Sequence, residues 1–388
     1  MRRVNSLMIL HVVLSACAVI LVLSAALHVH AQPADLRMYW SHGTATGQGP
    51  VRLTRSPMNL EDIAHIIPMG LMVGAHVTPV DHMYFEPKDR NAGRYRYDVY
   101  APADGFIVHI QHRTMMSGTM TDGPKERDDY RVVIEHSSTF WSYYDLITQL
   151  DQTILDQIGG APPDMKPVKV RVPVKAGQLI GKVGGQTLDF AVVNSEVTLK
   201  GFVVPRHYDY EPWKIHTVNP FDYFDEPLKS TLLAKNPRKA KPRGGKIDYD
   251  IDGKLAGNWF LENTNGYAGA GDPRGYWMGH LAIVYHHIFP QKIVVSIGDF
   301  DGRMRQFFVK DNMPDPAQVS SASRWVKYEL ITENVGSAGQ PQEGVDTRVQ
   351  GVLLVQVLQN RKLRVETFPG KTAAEVKGFT SAKRIYER

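Results

Sequence analysis

The chain has 388 residues, 43% of them hydrophobic and 22% charged, with 33 glycines and 24 prolines; that is apolar material for two ordinary cores, and it excludes a disordered tail or a long helical bundle. Arg2, Arg3 and seven basic residues between Lys229 and Lys246 outweigh the whole formal excess of +5, so the remaining material is mildly acidic and no nucleic-acid partner is expected. Cys17 is the single cysteine, which leaves no thiol elsewhere for a disulfide, a thiolate metal site or a cysteine nucleophile.

In chain order, Arg2 and Arg3 precede an apolar run from Leu7 to Leu27, and Val29-His30-Ala31 supplies small residues before Gln32. Residues 1–31 therefore read as a secretory signal, and the protein is expected to be exported, periplasmic or secreted. Two other readings of the same residues keep it at the membrane. The run approaches the ~20 residues that span a bilayer and would serve, uncleaved, as an anchor. Leu14-Ser15-Ala16-Cys17 also resembles a lipobox, which would make Cys17 the lipidated residue of a lipoprotein.

Residues 32–228 carry short alternating segments, Asp98–Ala101, Phe106–Ile110, Arg131–Glu135, Val168–Val174 and Leu188–Val193, each read as a strand. Pro102-Ala103-Asp104-Gly105 is a turn by its chemistry, with proline presetting φ and glycine closing the loop. Leu146, Leu150, Ile154 and Ile158 recur at helical spacing until Gly159-Gly160, which predicts one helix with Asp145 as its N-cap. Residues 229–246, rich in Lys, Arg, Pro and Gly, read as a solvated basic linker. Residues 247–388 return to strands at Asn258–Leu261, Leu281–Tyr285, Lys292–Ile297, Trp325–Leu330, Val352–Leu358 and Leu363–Phe368. Strands this short need closure or face-to-face packing, so a small all-β barrel or sandwich is expected. Gly257-Asn258-Trp259 resembles the Gly-x-Trp of lipocalin-like barrels, although its plain reading is a buried tryptophan in a first strand.

Five separated pieces of the first half bear a resemblance. They are Gly74-Ala75-His76 with Asp81, the turn Ala101-Pro102-Ala103-Asp104-Gly105, Val133-Ile134-Glu135-His136 followed by Tyr143-Tyr144-Asp145-Leu146, the turn Val174-Lys175-Ala176-Gly177-Gln178-Leu179-Ile180-Gly181, and Thr187-Leu188-Asp189-Phe190. In order and spacing they resemble the β-sheet core of the lysostaphin-like zinc endopeptidases, which cut peptidoglycan peptides. The resemblance implies a mainly β fold: an antiparallel β-sheet core of barrel-sandwich type with one helix, followed here by the C-terminal β domain.

It also implies a zinc or other divalent-metal site, with His76, Asp81, His82 and Asp189 as the candidate ligands. In the family two histidines and an aspartate hold the metal and two further histidines serve the water and the oxyanion. Here the third ligand position is Asp189, and the two catalytic histidine positions are Asp145 and Thr187. A carboxylate repels a developing oxyanion and a hydroxyl is only a neutral donor. His76 and Asp81 are separated by four residues rather than three, with Pro79 between them and His82 next. His136 stands where the family often has a histidine near the cleft. Tyr84, Phe85 and Tyr144 are candidate groove residues, beside Trp141 and Tyr143.

The leading reading is a protein that has lost peptidase chemistry and binds a cell-envelope peptide, glycan or protein partner through the former groove. The alternative is a divalent-metal-dependent hydrolase with an altered His/Asp ligand set, in which Asp145 acts as general base. Lipoyl or biotinyl carrier domains share the turn pattern, but Lys175 and Lys182 lack the flanking residues of a modified lysine.

Overall fold

Alternation of apolar side chains along the first half builds one long antiparallel sheet. In the computed structural model, which describes residues 36–40, 45–117, 125–332, 335–341, 346 and 348–388, its strands are β1 (Ile63–Ile67), β2 (Met83–Pro87), β4 (Gly105–Ser117), β5 (Lys125–Ser137), β6 (Phe140–Ile147), β8 (Pro167–Val174) and β10 (Leu188–Asn194). Their order across the sheet is β1-β2-β10-β6-β5-β4-β8, with the short β11 (Thr217–Val218) paired to β10. A smaller sheet joins β3 (Tyr97–Tyr100), β9 (Leu179–Val183) and β7 (Gln149–Leu150) in the order β3-β9-β7. The readings of residues 1–31, Cys17 included, lie outside the described residues.

Because successive side chains in a strand point to opposite faces, the sheet sorts its residues by period two. Val132, Ile134, Phe140, Tyr144, Leu188, Phe190 and Val192 enter the main core. Val133, Trp141, Tyr143, Ala191 and Val193 line the other face, where Leu36, Trp40 and Trp213 cover them. Polar residues of the same phase, Arg131, Asp145 and Asp189, share that covered face. The fold thus delivers the resemblance's site positions to one surface and then roofs part of it with tryptophans.

The predicted strands are present, but the predicted helix is displaced. Asp145 and Leu146 belong to β6, and the helix runs only Gln152–Ile158. Its N-cap is Asp151, whose carboxylate accepts from Thr153 N at 2.9 Å, and Gly159 closes it in the left-handed region at φ 81°. Asp145 caps nothing. Leu146, inside β6, has φ 68°, a left-handed backbone that breaks the apparent helical repeat.

The stretch expected to be a solvated linker is folded against both halves. Helix Leu228–Ala234 opens it, and Asn236 and Arg238 that follow are buried. Arg238 donates from Nε to Pro242 O (2.7 Å) and from Nη1 to His287 O (2.6 Å), so its charge is spent on carbonyls. Composition signalled solubility there; the hydrogen bonds of one arginine and one asparagine override it.

The second half is an eight-stranded closed barrel: β12 (Gly257–Leu261), β13 (His280–Tyr285), β14 (Ile293–Ile297), β15 (Arg305–Val309), β16 (Val326–Thr332), β17 (Val349–Val357), β18 (Lys362–Pro369) and β19 (Arg384–Glu387). Each strand pairs with its sequence neighbour, and Phe260 opposite Glu387 closes the ring, which removes the open edges that short strands would leave. Trp259 is buried in the interior, donates to Leu255 O at 2.8 Å, and carries the Arg388 guanidinium 4.0 Å from its ring centroid. Gly257 is required beside it, since a Cβ there would stand 2.3 Å from Asp250 Oδ1 and 2.4 Å from Arg388 Nη1. His286 and His287 follow β13, and their ring centroids lie 4.3 Å apart. Phe260 and Tyr267 of the barrel half pack into the core of the first half.

Candidate functional site

The covered face of the sheet gathers an unusual density of charge. Strand register puts Asp189 on β10 opposite Asp145 on β6, with Arg131 on β5 beside them. Arg131 grips Asp145 through Nε (2.9 Å to Oδ1) and Nη2 (2.6 Å to Oδ2), a two-pronged charge-assisted pair. Arg113 bridges Asp145 Oδ1 at 2.9 Å and Asp129 Oδ1 at 2.6 Å. Burial by itself would raise the Asp145 carboxyl, but Arg113 and Arg131 overcome it and hold the pKa at about 2.

A second group meets it from the segment before β2 and from the short turn Pro212–His216. Asp81 Oδ1 is 3.2 Å from both His82 Nδ1 and Lys214 Nζ, and its Oδ2 accepts from Trp213 Nε1 at 3.0 Å. Lys214 also reaches Glu211 at 2.9 Å and sits 4.7 Å from the centroid of the Tyr267 ring, contributed by the barrel half. Burial works against both charges, yet Lys214 and His82 hold the Asp81 carboxyl well below the carboxylate range, and Asp81 and Glu211 raise the Lys214 ammonium.

His82 joins the two groups. Its Nε2 is 3.2 Å from Asp189 Oδ2, a close charge contact without hydrogen-bond alignment. Burial would lower its pKa, but Asp189 and Asp81 raise it. Asp189 accepts from Thr187 Oγ1 at 3.3 Å, and burial, against the pull of His82, lifts its carboxyl to about 7.

The structure therefore brings His76, Asp81, His82, Asp145, Thr187 and Asp189 into one neighbourhood, with the His76 ring 5.8 Å from that of His82 and burial lowering its pKa to about 3. The residues do not fit a metal ion. A ligand must offer a lone pair, and both oxygens of Asp81 and of Asp189 already face protein donors or cations. A buried ammonium lies where an incoming cation would meet Asp81. Among the described residues no group of three or more His, Cys, Asp or Glu side chains is arranged to hold a metal ion.

The remaining candidates separate. His136 stands off the charged cluster, with Nδ1 2.8 Å from Asp104 O and Nε2 2.9 Å from Ser142 Oγ, and burial lowers its pKa to about 4; it braces the Ala103-Asp104-Gly105 turn. Phe85 and Tyr144 are fully buried in the core on the other face of the sheet, so neither lines a groove. Tyr84 does border one: with Ile67, Leu71, Leu146, Gln186 and Thr187 it lines a cavity of about 460 Å³ beside Asp189.

Sequence reasoning missed Arg113, Arg131, Trp213 and Lys214. The one available signal was phase, since Arg131 precedes Val132-Val133-Ile134 at an inward position where an apolar residue is the rule. Trp213 and Lys214 carry no motif.

No protein-family model matches the chain, and no curated protein does. Among solved structures it is similar to a zinc-containing peptidase from Vibrio cholerae, at 21% identity over 38% of this chain and 38% of that one, with a TM-score of 0.22. It is also similar to the SpoIIQ-SpoIIIAH pore-forming complex, at 13% identity over 47% of this chain and 96% of that one, with a TM-score of 0.27. A third similarity is to lysostaphin, at 13% identity over 87% and 92% of the two chains, with a TM-score of 0.23. The match spans well under half of the Vibrio peptidase.

Proposed function

We propose that this is an exported protein with a lysostaphin-like sheet that has exchanged peptidase chemistry for binding, and that it holds a cell-envelope peptide, glycan or protein partner on the sheet face. The observation that carries the reading is the internal pairing of every acidic group at the resemblance's ligand and catalytic positions. Asp145 is locked by two arginines and ionised down to about pH 2, so it is a poor proton acceptor for water. Asp81 answers to Lys214, Trp213 and His82, and Thr187 donates to Asp189. Protein cations supply the positive charge that a metal would, but they cannot lower the pKa of a bound water as zinc does.

The metal-dependent hydrolase is the competing reading, and the same pairings count against it. One experiment separates the two. The purified full chain is incubated with cross-linked peptidoglycan and with a glycine-rich peptide, with and without added zinc, and new amino termini are counted while metal content is measured. No cleavage, substoichiometric metal and retention of the protein on envelope fragments are expected. Cleavage that disappears in Asp189→Ala would refute the proposal.

A further inference from the structure

Beyond the charged cluster the sheet face stays open in one place. Toward β8 lies a cavity of about 400 Å³, within the range of about 300–1,000 Å³ typical of small-molecule sites. Its floor is set by strand register: His109 of β4 stands opposite Lys169 of β8, and Gln111 of β4 stands opposite Arg131 of β5. Four polar side chains thus come from three hydrogen-bonded strands rather than from loops, which fixes their spacing.

The walls are aromatic. Trp40 and Trp213 stack with centroids 4.8 Å apart, and both are buried. Tyr210 flanks the mouth, 61% exposed. Such surfaces favour a ligand with an apolar face, whereas a floor of imidazole, amide, guanidinium and ammonium favours one with a polar rim. A pyranose ring has both, CH groups on its faces and hydroxyls around its edge.

Charge narrows the class. Arg131 pairs with Asp145 through Nε and Nη2, leaving Nη1 outside that pair, and Lys169 adds a second cation. Glu211 also borders the cavity but is tied to Lys214 at 2.9 Å. His109 is buried and its Nδ1 has no hydrogen-bond partner among the described residues. Burial first, and then Arg131, lowers its pKa to about 4, so it is neutral near pH 7 and does not repel a ligand of either sign.

The geometry points to a binding site for an acidic sugar in this cavity, the ring held against the Trp213 and Tyr210 surfaces and the carboxylate held by Lys169 and Arg131. The inference rests on the reading that the sheet face holds ligands rather than cutting them.

The test is calorimetric titration of the full chain with two trisaccharides of equal length, one of glucuronate and one of glucose, followed in parallel by tryptophan fluorescence. The acidic sugar is expected to bind about tenfold more tightly and to change the tryptophan emission. Lys169→Gln should abolish most of that preference. Tyr210→Ala should weaken both sugars by a similar factor, and since both side chains are exposed neither variant threatens the fold. Equal binding of the two sugars, no binding of either, or stronger binding of benzoate than of glucuronate would overturn the assignment. None of these results bears on peptide cleavage, which the assay for new amino termini reads separately.

Discussion

Replacing Lys214 by methionine tests whether a protein cation balances the buried acids. The side chains of Lys214 and Asp81 are only 7% and 4% exposed and lie 3.2 Å apart, so solvent does little to screen the pair. Removing one partner of such a pair typically costs about 3–5 kcal/mol, because the other charge stays buried without compensation. Asp81 keeps Trp213 Nε1 and His82, and Glu211 can turn to solvent, which places the expected loss near the lower end, about 3 kcal/mol. Methionine nearly conserves volume, so a cavity contributes little. Denaturant unfolding followed by tryptophan emission measures the loss at pH 7. The sign of its pH dependence is fixed: the native Asp81 carboxyl is held low, so its contribution is present above the unfolded value of about 3.9 and lost as pH falls through the native value. The gap between wild type and Lys214→Met should therefore narrow in acid. Adding Asp81→Asn to Lys214→Met should recover most of the loss at pH 7. A loss below about 1 kcal/mol, the range of exposed pairs, would refute the assignment of Lys214 as the counter-charge.

Asp145→Asn should destabilise at pH 7 by about 3 kcal/mol, since it strips the buried Arg131 guanidinium of its carboxylate and leaves Arg113 with Asp129 alone; the difference should vanish as pH falls from about 4 to about 2, where the native carboxyl protonates, and a pH-independent difference would contradict it. Asp151→Ala should cost about 1 kcal/mol through loss of the helix cap, whereas Asp151→Asn should cost much less, both read by denaturant midpoints. Arg388→Met should destabilise the barrel by about 3 kcal/mol, because Arg388 donates to Ala256 O at 2.5 Å and Ile251 O at 3.0 Å and leaves Asp250 buried when removed; a shifted Trp259 emission should accompany it.

Local periodicity made most of the fold legible. The segment Val168–Val174 alternates, and alternation is what a half-buried strand looks like. The predicted helix was misplaced because Leu146 and Leu150 sit at helical spacing from Ile154 by coincidence: the first lies in β6, the second in β7, and only Ile154 and Ile158 belong to the helix. Strands β1 and β2 were not read at all, since Ile63–Ile67 and Met83–Pro87 lack alternation, being buried on most positions. In the site, the substitutions Asp145, Thr187 and Asp189 were visible as residue types at the resemblance's positions. Their partners were not, because electrostatic pairing across a sheet has no sequence period: Trp213 and Asp81 meet over 132 positions.

The barrel belongs in that electrostatic account. A buried ion network is tolerated only when each charge retains its partner, and shielding it from water strengthens those pairings. The roof over Lys214 is Tyr267, which belongs to the barrel half, and the hydroxyl of Tyr208 beside it accepts from Asn258 Nδ2 at 3.0 Å. On the other flank Arg238 ties the connecting segment to His287 O. The second half thus seals the side of the sheet face that carries Asp81 and Lys214, while the β8 end keeps its cavity. Charge neutralisation by lysine and arginine, closure by an aromatic ring from the barrel, and a remaining opening lined by tryptophan and tyrosine are three consequences of one arrangement, in which the polar phase of the sheet was retained and the acids on it were given protein partners.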